Sequence, residues 1–314
     1  MAWMHAAFTK HGVDSPRLMS ELLMAHVLGL DDGKGGSGGR LKLYMDQDRP
    51  ASAAEKARLR DLVARALKHE PVQYLVGEAW FYGLPVVVSP AVLIPRPCTE
   101  VIVEEVLSHA RAAWGAVGKT GEGLRIADVC TGSGCIAIAL LKNLPHATGI
   151  GVDVSAEALA VARKNAERHG VDGRLELVQG DLLAPLIDHP AGGGVGGNFH
   201  YLVSNPPYIP DFEWDAAPVP GQEPLVGKNV REFEPHLALR GGVDGLKFVR
   251  PLIEKGPERL RPRGVMMIEI AAATWKASLK MMREHPLMDA ETVRVVKDHD
   301  GLERVVVGTR RAEP

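Results

Sequence analysis

The run Ser204-Asn205-Pro206-Pro207-Tyr208 places an amide, two rings without an N–H and an aromatic in succession. Two prolines cannot donate ladder hydrogen bonds, so the plainest meaning of the run is the end of a strand. A strand stop needs neither the Asn before them nor the Tyr after them. One kind of chemistry needs all four. An amide or aromatic amine nitrogen is a poor nucleophile because its lone pair is delocalised. To attack a methyl sulfonium it has to be fixed in line, with both N–H groups held by acceptors. The Asn205 side-chain oxygen and the Pro206 carbonyl can be those acceptors. The rings of Pro206 and Pro207 fix the backbone and aim that carbonyl, and Tyr208 offers a flat wall to a planar target. No strong base is required, since the nitrogen becomes far more acidic once alkylated. Positioning and electrostatics would carry the catalysis.

A second candidate group lies upstream. Asp128-Val129-Cys130-Thr131-Gly132-Ser133-Gly134-Cys135-Ile136 passes from a strand-like segment straight into a helix-like one. Gly132 and Gly134 permit a tight turn and close approach of a ligand to the backbone. Asp153 follows at the separation, about twenty residues, at which an acidic side chain meets ribose hydroxyls in nucleotide-binding folds. A third strand-like segment closes on Gly180-Asp181. Acids at successive strand ends suit a nucleoside, one for the ribose diol and one near the base. The order Cys130-x-Gly132-x-Gly134 lacks the continuation of a dinucleotide GxGxxG site. It is the looser pattern of S-adenosylmethionine (SAM) sites, led here by cysteine. An ordinary glycine-containing turn is the bland alternative for the loop, and a helix N-cap ahead of Leu182 is the alternative for Asp181.

These groups can meet only if neighbouring strands deliver them to one edge. After Leu124, strand-like segments at 124–129, 149–154, 175–179, 201–204, 264–270, 292–297 and 304–309 alternate with helix-like ones at 135–144, 155–169, 244–260 and 274–285. The alternation predicts an α/β fold with a doubly wound, mostly parallel sheet, whose ligands sit at the carboxyl ends of the strands. Ahead of it, Leu18, Leu22, Leu23, Ala25 and Val27, and then Leu59, Leu62, Val63, Ala66 and Leu67, recur at helical spacing. They predict helices over 15–30 and 52–69, packed as a small helical domain, residues 1–75. Gly83 and the prolines at 85, 90, 95 and 97 break the next stretch into extended pieces with one hairpin at 79–89. Residues 76–97 therefore read as a hairpin linker and 98–314 as the catalytic domain. The glycine-rich runs at 33–39 and 192–197 join no strand to a helix and read as surface insertions rather than phosphate cradles.

The net charge of −2 denies the whole chain a basic footprint for nucleic acid. Arg259, Arg261 and Arg263, beside Pro262 and Gly264, read as a solvated helix end. The three cysteines are odd in number and form no CxxC pair, and the 12 histidines include no HExxH, so no metal is expected. The opening MAWMHAAFTK lacks the order of a signal peptide, and no apolar run reaches spanning length. We therefore expect a cytoplasmic, soluble, monomeric enzyme without membrane or stable nucleic-acid partners.

The Asn-Pro-Pro-Tyr box is shared by methyltransferases of planar nitrogens: adenine-N6 and cytosine-N4 DNA enzymes, and HemK/PrmC-type protein glutamine N5-methyltransferases. Longer segments narrow the resemblance. They are Glu70-Pro-Val-Gln-Tyr-Leu-Val-Gly77, the run from Phe81 to Pro97 with Thr99-Glu100, the run from Phe233 to Leu246, and Asp300-Gly-Leu-Glu-Arg-Val-Val306. On these the chain resembles the HemK/PrmC-type enzymes that modify release factors. The resemblance implies a helical bundle, a hairpin linker and a seven-stranded, Rossmann-like SAM-dependent methyltransferase domain. It implies methyl transfer to the Gln of the Gly-Gly-Gln loop of class 1 peptide chain release factors, with the helical domain helping to grip them. It maps the SAM loop onto Cys130, Thr131, Gly132, Ser133 and Gly134, the ribose acid onto Asp153, and the substrate box onto Asn205–Tyr208, with Asn205 beside the methyl donor.

Some positions depart from the family pattern. Cys130 replaces the first loop glycine, as in sister enzymes acting on ribosomal protein L3. Cys98 stands where Asp is usual, and Ala271 where Gly follows Glu269-Ile270. Leu182, after Asp181, replaces an aromatic at the adenine contact. Methylation of ribosomal protein L3 is thus one alternative. A nucleic-acid amino methyltransferase and a non-catalytic SAM-binding scaffold are others.

Overall fold

A computed structural model describes residues 1–13, 15–30, 38–45, 49–187, 189, 197–217 and 224–312. Both glycine-rich runs lie largely outside these. Five helices open the chain: α1 (Ala2–Lys10), α2 (Pro16–Val27), α3 (Gly38–Met45), α4 (Ala53–Ala66) and α5 (Val72–Val76). Ser52 starts α4 through a capping box with Glu55, each side chain taking the other's backbone N–H. The apolar stripe of α4 then meets Met4, Phe8, Leu23 and Leu75 in one buried cluster. The hairpin β1 (Glu78–Phe81) and β2 (Leu84–Val87) follows, paired antiparallel.

The larger part begins with α6 (Glu100–Thr120), interrupted at Gly115, where φ is 53°. No expectation from spacing covered this helix, because its Val-Ile-Val opening favours neither helix nor strand alone. It continues with β3 (Arg125–Val129), α7 (Cys135–Asn143), β4 (Thr148–Asp153), α8 (Ala156–Arg168), β5 (Leu175–Gln179), α9 (Ala184–Ile187) and β6 (Phe199–Ser204). Two short helices, α10 (Asp211–Trp214) and α11 (Lys228–Phe233), precede α12 (Val249–Lys255), β7 (Leu260–Glu269), α13 (Trp275–Glu284), β8 (Arg294–Lys297) and β9 (Glu303–Thr309).

The strands form one seven-stranded sheet in the order β5-β4-β3-β6-β7-β9-β8. The pairs from β5 to β7 are parallel, and β9 joins antiparallel to both β7 and β8. Helices cover both faces, with one apolar cluster on each. This is the α/β methyltransferase architecture expected. The chain leaves β3 for β4 and β5 on one side and returns to β6 on the other. The switch point therefore lies between β3 and β6, which is where an open parallel sheet leaves a crevice for a ligand.

One expectation needs correction. The helix read over 244–260 is shorter: α12 ends at Lys255, a 3-10 turn holds Gly256–Arg259, and β7 begins at Leu260. Pro257 interrupts the helix, and pairing of Leu260 with Phe199 turns the chain into the sheet. The three arginines are therefore not a solvated helix end. Arg259 is buried, and Arg261 lies over the Trp114 ring, 5.4 Å from its centroid, with Nη1 bonded to His200. Arg263 sits at the strand with φ 64°.

Candidate active site

Two cavities open at the carboxyl ends of β3, β4, β5 and β6 and share the Asn205 side of the box. The first encloses about 310 Å³. Its floor is the loop between β3 and α7, with Cys130, Thr131, Gly132 and Ser133. Asp153 stands on one side, and Asp181 and Leu182 on the next. Gly134 does not line it. With φ 79°, that residue starts α7, and a Cβ there would meet Ile138 at 3.1 Å and Ala162 at 3.3 Å. Gly134 thus allows α7 to pack against α8, behind the loop.

The loop is held from beneath. Thr131 Oγ1 donates to Asp128 Oδ2 at 2.7 Å, as does Ala137 N at 3.2 Å. Asp128 is fully buried, and its Oδ1 has no hydrogen-bond partner among the described residues. Burial pushes its carboxyl up to about 7 against these two donors. Asp153 receives the Gly132 N–H on Oδ2 at 2.8 Å and the Ser155 N–H on Oδ1 at 3.0 Å. Burial raises its pKa and the backbone donors oppose that. Each carboxylate oxygen keeps acceptor capacity for a ribose diol. The N–H of Ala184 goes to the main-chain carbonyl of Asp181, and the Asp181 side chain is exposed at the rim. Cys130 and Leu182 both adopt positive φ, 61° and 47°. The first value explains why a glycine suits that loop position, since a side chain there costs about 1–2 kcal/mol.

The second cavity is lined by Pro206, Tyr208 and Ile209 on one side and by Leu93, Arg96, Val226 and Leu239 on the other. Asn205 and Leu93 belong to both cavities, whereas Pro207 faces the first. A group on Asn205 is therefore in reach of whatever occupies either space. Asn205 Nδ2 donates to Thr99 Oγ1 at 3.1 Å, which leaves Oδ1 as the end of the amide available for an N–H. Tyr208 turns its hydroxyl away from the cavity and donates to Glu269 Oε1 at 2.8 Å, so its ring is held as a wall. Burial and the neighbouring Glu269 carboxylate push that phenol well above its ordinary pKa.

Several supporting residues were not singled out from sequence. Thr99 starts α6 and Glu269 ends β7. Gly241 and Gly245 press on the box from behind: a Cβ on either would come within 2.7 Å of the Tyr208 backbone. The bonds Ile209 N to Leu239 O and Gly241 N to Ile209 O tie that loop to the box. The linker also contributes, since Ala91, Val92, Leu93 and Pro95 wall the first cavity. The buried Glu234 ion-pairs with Arg96 and accepts from Ile94 N at 3.1 Å, which locks the linker to the loop after α11. Thr99, the linker residues, Glu234, Gly241 and Gly245 fall in segments that carry the family resemblance, but their spacing gave none of them a role. They act across the fold.

The protein comparisons agree with this geometry. Residues 1–77 match the family model described as the PrmC N-terminal domain, and residues 116–216 match the methyltransferase small domain. A release factor glutamine methyltransferase of Geobacter sulfurreducens is 40% identical over 98% of this chain and 94% of its own length. One from Chlorobaculum tepidum is 39% identical, over 95% and 92%. Among solved structures, a release factor-specific protein-(glutamine-N5) methyltransferase of Alicyclobacillus acidocaldarius is 29% identical, with a TM-score of 0.40 over 71% of this chain and 98% of that one. The hMettl16 catalytic domain, solved with the MAT2A 3′UTR hairpin 6, shares the fold at 14% identity, with a TM-score of 0.53 over 84% and 83%. A full-length match at such identity, on a chain whose box joins a nucleoside-sized cavity to a second one, has one meaning: the chain belongs to the release factor glutamine methyltransferase family.

Proposed function

We propose that this protein transfers a methyl group from SAM to the side-chain N5 of the Gln in the Gly-Gly-Gln loop of class 1 peptide chain release factors. The observation that carries the reading is the position of Asn205 between two cavities, its amide tethered through Nδ2. The first cavity fits SAM by the chemistry of its wall: a close-approach glycine loop and the Asp153 carboxylate. It also has a largely apolar remainder, including Ile136, Leu237 and Phe248. When bound there, SAM supplies a methyl group made electrophilic by its sulfonium.

The chain's own residues then have three tasks. Asn205 Oδ1 and the Pro206 carbonyl accept the two N–H bonds of the substrate amide, which stops it rotating and points the nitrogen lone pair away from both acceptors. Tyr208 holds the amide plane flat, and Leu93, Val226 and Leu239 give the second cavity an apolar side. The methylated nitrogen sheds its proton to water without a dedicated base. Orientation of this kind supplies about 7–11 kcal/mol of barrier reduction in favourable systems.

We assign residues 1–75 to recognition of the release factor, 76–97 to the linker and 98–314 to catalysis, acting in the cytoplasm as a monomer without stable nucleic-acid or membrane partners. Among the described residues no helix is long and apolar enough to cross a membrane. The names of the relatives favour a release factor over ribosomal protein L3. The test is transfer of labelled methyl from SAM to purified release factor, with ribosomal protein L3 and duplex DNA alongside. Label on the Gly-Gly-Gln glutamine, absent from a Gln→Ala release factor, is expected. Label on the ribosomal protein alone would reassign the substrate.

A further inference from the structure

Among the residues lining the second cavity, only Arg96, Asn205 and Tyr208 carry polar side chains. Tyr208 turns its hydroxyl to Glu269, and the reading above commits Asn205 to the reacting amide. Arg96 has no task in that reading. Its Nη2 donates to Glu234 Oε1, while Nε and Nη1 have no hydrogen-bond partner among the described residues. The Glu234 side chain is wholly buried, whereas that of Arg96 is 31% exposed. The acid thus holds the cation from behind, and its other oxygen takes the Ile94 N–H at 3.1 Å. A buried acid is costly unless it is paired. What this pair provides is a planar fork of donors fixed in the cavity wall.

Two features define what such a group can take. A guanidinium offers N–H donors and no acceptor. Its charge is cancelled by Glu234, so the pair suits a neutral carbonyl oxygen better than a carboxylate. A peptide substrate brings two kinds of neutral carbonyl near the target: that of the reacting amide and those of the main chain. The first is the wrong partner. The amide nitrogen attacks with its lone pair, and a cation on the amide oxygen would draw that density away from nitrogen. The main chain is the right one, because the two residues ahead of the target are glycines. They present only N–H and C=O groups for recognition. Without a Cβ, their carbonyls can also reach a guanidinium set among Leu93, Val226 and Leu239.

We infer that Arg96 is a substrate-binding residue whose open N–H groups donate to main-chain carbonyl oxygens of the Gly-Gly-Gln loop, with Glu234 holding it for that contact. The inference rests on the glutamine-methylation reading above. It adds how a loop without side chains is recognised.

The experiment uses the full-length enzyme and intact release factor, with two variants that differ only at the guanidinium. Glu234→Gln keeps an oxygen for the Ile94 N–H and removes the buried charge. Arg96→Met in that background removes the donors without leaving an unpaired acid. Methyl transfer gives kcat and KM, and calorimetry gives the affinity for S-adenosylhomocysteine. Between the two variants, KM for the release factor is expected to rise at least about tenfold, the strength of one hydrogen bond from a charged donor. The kcat should stay within about twofold, since a contact away from the reacting atoms is made equally in the ground and transition states. S-adenosylhomocysteine affinity should stay within about twofold as well. A merely structural role would move that affinity, because Leu93 and Pro95 of the linker wall the first cavity too. Should the double variant not fold, Arg96→Lys carries the test. It keeps a charge beside Glu234 and loses the fork, so KM should rise about threefold with kcat unmoved. An unchanged KM, or a loss confined to kcat, in a folded variant overturns the inference. A higher KM accompanied by weaker S-adenosylhomocysteine binding overturns it too. A wild-type enzyme that labels no glutamine overturns the functional reading itself, and the inference with it.

Discussion

The rim of the first cavity and the Asn-Pro-Pro-Tyr box follow neighbouring strands, β3 and β6, yet they are held in place in different ways. The rim is held by neighbours. The Thr131 hydroxyl donates to Asp128 three residues away, and the Gly132 N–H donates to Asp153 21 residues on, both from the turn between β3 and α7. The box is held from a distance by side chains on Thr99 and Glu269 and by the close approach of Gly241 and Gly245. Each region also keeps one buried carboxyl with an oxygen that has no hydrogen-bond partner among the described residues, Asp128 Oδ1 and Glu269 Oε2. Cys130 adds its side chain at a loop position whose neighbours Thr131 and Gly132 keep their bonds to Asp128 and Asp153. At the box, the atom of the Asn205 amide that points forward follows from a bond to Thr99, 106 residues away.

The difference predicts separable losses. Asn205→Ala removes the polar group shared by both cavities and should cost about 2–4 kcal/mol of transition-state stabilisation, a 10²–10³-fold fall in kcat. SAM binding by calorimetry should persist. Near-normal turnover in this variant would remove Asn205 from its role and with it the contrast between the two regions. Gly245→Ala acts one layer further back. Its φ of 75° and a Cβ 2.7 Å from the Tyr208 carbonyl oxygen leave no room for a methyl. The left-handed backbone alone costs about 1–2 kcal/mol, and relief of the clash has to shift Tyr208. We expect a lower melting temperature and about a tenfold loss in kcat with SAM affinity retained, because Gly245 itself does not line the first cavity. Loss of SAM affinity instead would mean that the two regions move as one.

The same contrast accounts for what could be read before the structure. Strand-helix alternation, the glycine loop, Asp153 and the Asn-Pro-Pro-Tyr box are local patterns, and the fold places them as their spacing implies. The first cavity is lined by every rim residue expected except Gly134, whose glycine serves helix packing. Thr99 and Glu269 were given no role, because a threonine at a helix start and a glutamate after a hydrophobic strand look like a cap and a chain exit. Only the sheet brings them behind residue 205. The arginines near 260 were misread for a related reason. A basic run beside Pro262 resembles a helix end, and the pairing of β7 with β6 that buries Arg259 is not a local property.

Asp153→Ala tests the rim by itself. It removes an acceptor already aligned by two backbone N–H groups, so SAM should bind about tenfold more weakly, with kcat at saturating SAM close to wild type. Calorimetry and a SAM titration of the rate check the two halves of that statement. An unchanged affinity would put the ribose contact elsewhere, and a lower kcat at saturation would join the rim to the chemistry.

The smallest effect concerns the acid beneath the rim. The Asp128 carboxyl titrates near about 7 in the folded protein because burial penalises its charge, against an ordinary value of 3.8. Between those values folding takes up a proton, so the carboxyl stabilises the fold fully below the ordinary value. That stability is lost as the pH rises toward 7, and the loss levels off above it. Asp128→Asn cannot titrate. Its oxygen can still accept from Thr131 and Ala137, so the variant should fold and keep the loop. The gap between the urea midpoints of the two proteins, measured from pH 5 to pH 8, should therefore shift in favour of the variant as the pH rises, then stop changing above about pH 7. The subtraction removes the titration of other groups, which both proteins share. A gap that does not change with pH would show that the unpartnered oxygen carries charge in the folded state at no cost, and that the rim's buried acid is solvated in a way the box's is not.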